Sequence, residues 1–299
     1  MAPTSPASKM EILDSHHARV GAFDVRRALP QRKRRTVGAW CFADHMGPAQ
    51  VSEESGLDIG PHPHTGLHTV TWLIDGQVLH RDSLGSEQVV KAGELNLMSA
   101  GAGIAHAEEA TGHYRGQLEG IQLWVAQPEV TRHGPGAFAH ASDLPQFEAG
   151  EASVTVFLGS LEGHSSPVAI DSDLLGAEIE VRGRARLGLR RDFEYALIVL
   201  RGALHVRGDV VAPGHLALLP RGLDELDVIS LEATRAILIG GVPFEEPLFM
   251  WWNFVGRSRE EIDAMRESWM RRDGRFGEVA SALSPFSAPT PHWASGAVT

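Results

Sequence analysis

The sequence has few of the features of secreted or membrane proteins. It has one cysteine, Cys41, in 299 residues, so no disulfide can form within the chain. That usage is typical of a reducing compartment, and Cys41 itself is expected to be a small core residue. No apolar run approaches the roughly 18 residues of a membrane helix, and the first residues lack the pattern of a signal peptide. We therefore expect a cytoplasmic protein with no membrane partner.

Excess positive charge is also missing. The chain carries 38 acidic and 27 basic residues, for a formal net charge of −11. An acidic surface does not attract phosphate backbones, so direct nucleic-acid binding is not expected. The short basic run at 32–35 is interpreted as a solvated loop. By contrast, the 32 glycines and 17 prolines favour a turn-rich β protein over a helical one.

The chain contains an internal repeat. The segments TWLIDGQVLHR (71–81) and LIVLRGALHVR (197–207) match, as do VVKAGELNLM (89–98) and VVAPGHLALL (210–219). Each run alternates apolar residues about a turn glycine, which predicts short strands with one buried face. Asp75-Gly76 is typical of a hairpin turn. Two copies predict two β domains, at 10–130 and 145–285, joined near 127–150.

A short helix is predicted near the C-terminus. Ser258 and Glu261 have the spacing of a capping box. Ile262, Met265 and Trp269 then fall on one helical face, which we expect to pack against a barrel. The chain from about residue 281 onward is expected to be irregular.

Four residues in the first copy have the pattern of a metal site. His62 and His64 are two apart, as are His106 and Glu108, and residues two apart on a strand project from the same face. Two such pairs on neighbouring strands would surround one point. Three imidazoles and one carboxylate suit iron, zinc, copper, nickel or manganese.

A His-x-His pair alone is more commonly an exposed strand face, so the second pair and the repeat carry the argument. By the repeat alignment, the second copy has no equivalent ligand set. The residues that correspond to the four candidates are Gly188, Arg190, Asp227 and Ile229. Two other histidines of the first copy, His80 and His113, are expected at the surface, and His45 could lie beside the site or simply pack at a strand end.

The sequence resembles the pirin family of the cupin superfamily. The resemblance rests on ADHMGP (43–48), HPHTGLHTVTWLIDGQVLHRDSLG (62–85), AGELNLMSAGAGIAHAE (92–108) and GIQLWV (120–125). It implies an all-β bicupin, with two face-to-face cupin β-barrels and a short C-terminal helix. It also implies one divalent metal in the N-terminal barrel, held by His62, His64, His106 and Glu108, with Fe(II) the expected ion and Zn, Ni, Mn or Cu alternatives.

The resemblance implies a function as well. Several pirins act as quercetin 2,3-dioxygenases, so the expected substrates are a small aromatic flavonol and O₂, with Glu108 as the catalytic base. A monomer is expected. Two alternatives stay open. One is a metal-dependent regulatory protein that binds a transcription factor or a metabolic enzyme, and the other is a cupin with a structural metal and no activity.

Three residues depart from the family's pattern HPHRGFET. Thr65, Leu67 and His68 stand where pirins have arginine, phenylalanine and glutamate. His68 lies four residues beyond His64, so it shares strand parity with the ligands. It could be a further ligand, but we expect a packed core residue or a hydrogen-bond partner of a ligand.

Overall fold

The computed structural model describes residues 9–21, 23–52, 56–112 and 114–293, which form strands and one helix. The strands of the first half are β1 Glu11–Asp14, β2 His16–Val20, β3 Phe23–Leu29, β4 Trp40–Val51, β5 Ile59–His64, β6 Leu67–Asp75, β7 Gln77–Asp82, β8 Glu87–Lys91, β9 Leu95–Ser99, β10 Ile104–Glu109, β11 Gly116–Ala126 and β12 Ala137–Ala141. Those of the second half are β13 Gln146–Glu148, β14 Ala152–Leu161, β15 His164–Ser165, β16 Leu174–Val181, β17 Arg184–Gly188, β18 Glu194–Arg201, β19 Leu204–Val206, β20 Asp209–Val211, β21 His215–Leu218, β22 Glu225–Ile229, β23 Thr234–Gly241, β24 Phe249–Trp251 and β25 Phe254–Gly256. Helix α1 is Arg259–Arg271.

The chain divides into two compact units, each assembled from segments that are distant in sequence. The first unit comprises Met1–Ala18, Val25–His45 and Ala141–Phe244, and the second comprises Arg19–Asp24, Met46–His140 and Glu245–Thr299. The predicted domains, 10–130 and 145–285, are contiguous segments, whereas each unit also includes chain from the other half. Strand pairing explains why the first unit includes the N-terminal segment, because β1 pairs with β21, which lies about two hundred residues later in the sequence.

In the first unit, two antiparallel sheets enclose one apolar core. One sheet has the order β1-β21-β18-β23-β16-β14-β13 and the other β17-β22-β19-β20. Val154, Ile179 and Leu197 come from the first sheet, Leu187 and Val228 from the second, and all belong to the same buried cluster. The alternation of apolar residues in the second copy therefore reflects a core between two sheets.

Trp40 anchors an N-terminal segment in the first unit. Its side chain is fully buried, and the indole Nε1–H is shared between the carbonyls of Leu175 and Gly240, each at 3.1 Å. We expect Trp40→Phe to lower the free energy of unfolding of this unit by about 2 kcal/mol, because the buried carbonyls lose their donor. Urea denaturation would measure this, and an unchanged unfolding midpoint would contradict it.

The second unit also contains two antiparallel sheets. One sheet includes β12-β9-β6-β11-β4 in that order, and the other has the order β5-β10-β7-β8. The predicted Asp75-Gly76 turn exists, with Gly76 at φ +89°. The predicted hairpin is wrong, because β6 pairs with β9 and β11 while β7 pairs with β8 and β10. The chain turns here from one sheet into the other. Gly202, the repeat counterpart, has the same kind of backbone, with φ +75°.

Helix α1 begins as predicted. Ser258 is the N-cap and its hydroxyl accepts from the Glu261 N–H at 3.2 Å. Ile262 and Met265 are buried in a cluster with Phe254 and Phe276, and Trp269 packs against it. Cys41 is buried, as expected for a small core residue. No helix within the described ranges is long and apolar enough to span a membrane.

Candidate metal centre

Two neighbouring strands bring three histidines of the second unit together. Strands β5 and β10 are antiparallel, with His62 opposite His106 and His64 opposite Ile104. Side chains alternate along a strand, so His62 and His64 lie on the same side and His106 faces them. All three imidazoles are buried. The two-residue spacing in the sequence therefore corresponds to a cluster in space.

The geometry of the cluster is close. One nitrogen from each histidine belongs to a set of atoms that all lie within 4.8 Å of one another. Nε2 of His64 and Nε2 of His106 are 3.0 Å apart. The ring centroids of His62 and His106 are 4.3 Å apart. Ring nitrogens of three buried histidines thus converge on one small volume.

The opposite ring nitrogens contact backbone carbonyls. Nδ1 of His62 donates to the carbonyl of Gly60 at 2.9 Å, and Nδ1 of His64 donates to the carbonyl of Asn253 at 3.2 Å. A carbonyl can only accept, so both rings are protonated at Nδ1 and present a lone pair at Nε2. Metal-binding histidines have this arrangement, because the partner of the distal nitrogen fixes the tautomer and the ring orientation.

Burial keeps the histidines neutral. It lowers the pKa of His62 to about 4, opposed by the Gly60 hydrogen bond, and it lowers the pKa of His64 and of His106 well below the usual range. The neighbouring histidines lower these last two pKa values further. Neutral imidazole is the form that binds metal.

The lowered pKa values predict how the stability of the metal-free protein depends on pH. Between pH 6.5 and 4 the unfolded chain binds a proton at His62 that the folded chain does not. His62 therefore does not affect the free energy of unfolding above about pH 6.5. As the pH decreases below that value, this histidine alone lowers the free energy of unfolding, by about 2 kcal/mol at pH 5. Urea titrations at several pH values would measure the slope. His62→Gln should flatten it, and an equally steep slope in that variant would contradict the assignment.

Glu108 is buried next to the cluster on β10 but is held differently. A register shift separates it from His106, so that it pairs with Ile59 on β5. Its Oε1 lies 3.3 Å from the Thr71 hydroxyl, and burial raises the pKa of its carboxyl. Among the described residues, the group with ligand atoms within 4.8 Å of one another contains the three histidines and not Glu108. Its role as fourth ligand stays a prediction.

The prediction that His80 lies at the surface is wrong. His80 is buried on β7, with Nδ1 3.4 Å from Nδ1 of His106 and Nε2 3.1 Å from Asp82 Oδ2. The sequence contained a signal for the burial of His80. Val78, His80 and Asp82 alternate along the strand and so share one face, and the first of them is apolar. His113 lies outside the described residues. His45 is buried on β4 and belongs to the first unit.

Aromatic rings and the C-terminal segment line the cluster. Trp124 meets His64 edge-on at 5.2 Å, and Phe286 stacks on His62 at 6.1 Å between ring centroids. Phe286 is tied to β5, since its N–H donates to the carbonyl of Pro61 at 2.9 Å. Its own carbonyl accepts from Trp269 Nε1 at 2.8 Å. The irregular segment predicted from residue 281 is thus held between α1 and the cluster.

The first unit contains the second copy of the repeat. At a position that corresponds to a histidine of the first copy, it has exposed ion pairs. Asp227, the repeat counterpart of His106, pairs with Arg184 and Arg186 on the partly exposed surface of β17 and β22. In the described part of the chain, His62, His64 and His106 are the group found with metal-binding spacing. That the second copy holds no metal stays a prediction.

Comparison with known proteins identifies the family. The model of the pirin family matches residues 22–125, and that of the pirin C-terminal cupin domain matches 174–277. The chain belongs to the pirin family. Over 91% of its length and 87% of the relative, this pirin is 44% identical to "Putative quercetin 2,3-dioxygenase PA1205" of Pseudomonas aeruginosa. It is 34% identical to a pirin-like protein of Caulobacter vibrioides, over 86% of this chain and 92% of that one.

A solved structure agrees. The crystal structure of quercetin 2,3-dioxygenase from Acinetobacter baumannii superimposes on this pirin with a TM-score of 0.91 at 38% identity, covering 94% of this chain and 95% of the other. The predicted all-β bicupin architecture, two cupin barrels with a short C-terminal helix, is therefore confirmed.

The donor set of this pirin suits a metal ion. Two ligands about 2.1 Å from a metal and at right angles to each other are about 3.0 Å apart. This is the separation of the His64 and His106 Nε2 atoms. A carboxylate buried beside them could balance the charge of a cation that three neutral imidazoles do not neutralise. The residues therefore fit a divalent cation.

The three departures from the family's pattern are all buried. The Thr65 hydroxyl contacts Met265 Sδ of α1 at 2.9 Å, and Leu67 is fully buried. His68 lies on β6, beyond a break at Gly66 (φ +64°), and its Nδ1 contacts the Ser99 hydroxyl at 2.8 Å. A Cβ at Gly66 would lie 2.4 Å from the Val255 carbonyl, so this tight turn requires glycine. The parity argument for His68 fails because the strand does not continue.

Proposed function

We propose that this pirin is a metal-dependent dioxygenase that opens the central ring of flavonols such as quercetin and releases carbon monoxide. The observation that carries the proposal is the convergence of three neutral, buried histidines beside a buried carboxylate. We further propose Fe(II) as the ion, a cytoplasmic location and action as a monomer. Zinc, nickel, manganese and copper suit the same ligand types.

In this proposal His62, His64, His106 and Glu108 hold the metal. When bound, the ion would act as a Lewis acid toward the flavonol oxygen and provide a site for O₂. These four residues would leave part of the ion's coordination sphere to exchangeable molecules. The carbonyl contacts of His62 and His64 keep their rings from rotating, so the ligands need little rearrangement to bind.

Glu108 would accept the proton of the flavonol 3-hydroxyl. In the metal-free protein, burial raises the pKa of its carboxyl, which is the direction that favours proton acceptance. The Thr71 hydroxyl can donate either to Glu108 or to Gln122 Oε1, at 3.3 and 3.0 Å. Its single proton cannot serve both, so it can move to Gln122 when Glu108 becomes protonated. A protonated Glu108 could then donate to the Thr71 oxygen.

Similarity supports the substrate class. The Acinetobacter baumannii structure is that of a quercetin 2,3-dioxygenase, and the Pseudomonas aeruginosa relative carries the same activity in its name. Aromatic side chains near the histidines, Trp124 and Phe286, are suited to a flat aromatic substrate.

Oxygen uptake with quercetin tests the proposal. Protein stripped of metal would be reloaded separately with Fe(II), Mn(II), Ni(II), Cu(II) or Zn(II), and carbon monoxide would be measured with O₂. We expect uptake and carbon monoxide in equal amounts with at least one redox-active metal, and neither with His62→Ala. Metal-loaded protein that consumes no O₂ with any flavonol would overturn the dioxygenase and favour a metal-dependent regulatory role.

A further inference from the structure

A second buried pair, His80 and Asp82, lies directly behind the histidine cluster. Both side chains are buried on β7, which pairs with β10 so that His106 faces Asp82 and Glu108 faces His80. His80 contacts His106 on one side and Asp82 on the other, at 3.4 and 3.1 Å. Hydrogen-bonding groups thus run in a line from a carboxylate to a candidate metal ligand.

Asp82 is fixed in one orientation. Its Oδ1 accepts from the N–H groups of Leu84 and Ser86, at 2.9 and 3.0 Å, which leaves Oδ2 for His80. Burial opposes ionisation, but hydrogen bonds from His80 and Ser86 outweigh it and lower the pKa of Asp82. The side chain is therefore a carboxylate that can only accept.

The direction of each hydrogen bond follows from this. His80 must donate from Nε2 to Asp82, so a neutral His80 has a lone pair at Nδ1. The adjacent nitrogen, Nδ1 of His106, must then carry a proton and donate it. A neutral His106 with its proton on Nδ1 has a lone pair at Nε2, which is the atom 3.0 Å from Nε2 of His64.

His80 is also held against rotation. Its ring stacks on Phe138 with centroids 4.6 Å apart and planes 17° apart. A ring flip would bring carbon atoms against Asp82 and His106 and leave buried polar atoms unpaired, which is costly. The His80 ring therefore keeps one orientation, and its hydrogen bond to Asp82 determines whether the nitrogen that faces His106 donates or accepts.

We propose that Asp82 and His80 are positioning residues that set the tautomer of His106 and so prepare its Nε2 to bind the metal. His62 and His64 obtain the same effect from single carbonyls, whereas His106 obtains it through a second imidazole. The inference rests on the proposed metal site but not on the identity of the substrate.

Asp82→Asn tests the inference, because it reverses the direction of the hydrogen bonds. The amide oxygen would keep the Leu84 and Ser86 contacts, so the NH₂ group would point at His80 and donate. His80 would then accept at Nε2 and donate from Nδ1. His106 would carry its proton on Nε2, where it blocks the metal. We expect metal affinity to fall 10- to 100-fold, the range typical of groups that orient ligands.

His80→Ala supplies the decisive comparison. It removes the connection and leaves His106 free to adopt either tautomer with a water molecule as partner, so we expect a loss smaller than about 10-fold. The double variant Asp82→Asn with His80→Ala should bind metal as His80→Ala does, which means better than Asp82→Asn alone. A purely structural role for Asp82 would instead make the two losses add.

Affinity would be measured by competition between the metal-free protein and a chelator, with Zn(II) as probe. Glu194→Gln is the matched control, since Glu194 is a buried carboxylate of the first unit that accepts from the Gly38 N–H at 3.0 Å. It should bind Zn(II) like the wild type. Unchanged affinity in Asp82→Asn, or additive losses in the double variant, would overturn the inference, whereas a wild type that binds no metal would overturn the proposed function itself.

Nitrogen NMR of the zinc-loaded wild type does not depend on a variant folding. Long-range ¹⁵N–¹H spectra distinguish the two neutral tautomers of histidine. We expect His80 to be protonated at Nε2 and unprotonated at Nδ1. A proton on Nδ1 of His80 would contradict the proposed direction of the hydrogen bonds.

Discussion

Replacing His106 with alanine is expected to weaken metal binding more than about 100-fold, beyond the loss typical of residues that only orient ligands. His106 is the member of the cluster that β10 provides, and its ring lies within 5 Å of the rings of both His62 and His64. Its removal would take away one proposed ligand and leave the other two, both on β5, without a partner on β10. Isothermal titration of the metal-free protein with Zn(II), and metal analysis after gel filtration, would measure the loss.

His68→Ala is the matched control for this prediction. His68 is a buried histidine of the same unit, but it lies on β6 and contacts Ser99. We expect it to retain one equivalent of metal at close to wild-type affinity. Wild-type affinity in His106→Ala would contradict the predicted ligand set, and a large loss in His68→Ala would make His68 a ligand.

Replacing Glu108 with glutamine is expected to lower kcat for quercetin by about 10²- to 10⁴-fold, the usual contribution of a general base. The amide keeps the size of the side chain and an oxygen for the metal, so a substantial part of the metal should remain bound. Oxygen uptake would be normalised to the metal content of each preparation, which separates the loss of a base from the loss of the ion.

Glu119→Gln provides the comparison for that change. Glu119 is a buried carboxylate on β11, opposite Asp75 at the end of β6, whereas Glu108 contacts Thr71 in the middle of that strand. We expect nearly full activity per bound metal in this variant. Full activity in Glu108→Gln would exclude Glu108 as the base, although it could still be a ligand.

The sequence predicted the histidine cluster because its elements are local. His62 and His64 are fixed to one face of β5 by the period of the strand. The repeat then indicated which copy would carry the site. The pairing of His62 with His106 required only that two short strands be neighbours, as they are in the structure. That they bind a metal, and that Glu108 joins them, stay predictions.

What the sequence did not predict depends on tertiary context. The Asp75-Gly76 turn has hairpin residues, but barrel closure sends β6 and β7 into different sheets. The same separation places His80 behind the cluster, where a surface position was expected. Asn253 contacts His64 and Phe286 contacts His62 from segments about two hundred residues away in the sequence. No local sequence pattern predicts such contacts.

The departures Thr65, Leu67 and His68 illustrate the same limit. Read along one continuous strand, His68 shares the face of the ligands. The turn at Gly66 ends that strand and starts another in the second sheet. As a result, the Thr65 hydroxyl contacts Met265 of α1, and the His68 ring contacts the Ser99 hydroxyl. A single residue of positive φ changes which residues can approach the histidine cluster.

The most direct test of the account is a crystal structure of the iron-reconstituted protein with anomalous diffraction measured on both sides of the iron edge. We predict one anomalous peak per chain, about 2.0–2.2 Å from the ring nitrogens of His62, His64 and His106 and from an oxygen of Glu108. A fully reconstituted protein with no peak among these residues, or with its peak elsewhere, would contradict the metal centre on which the proposed dioxygenase depends.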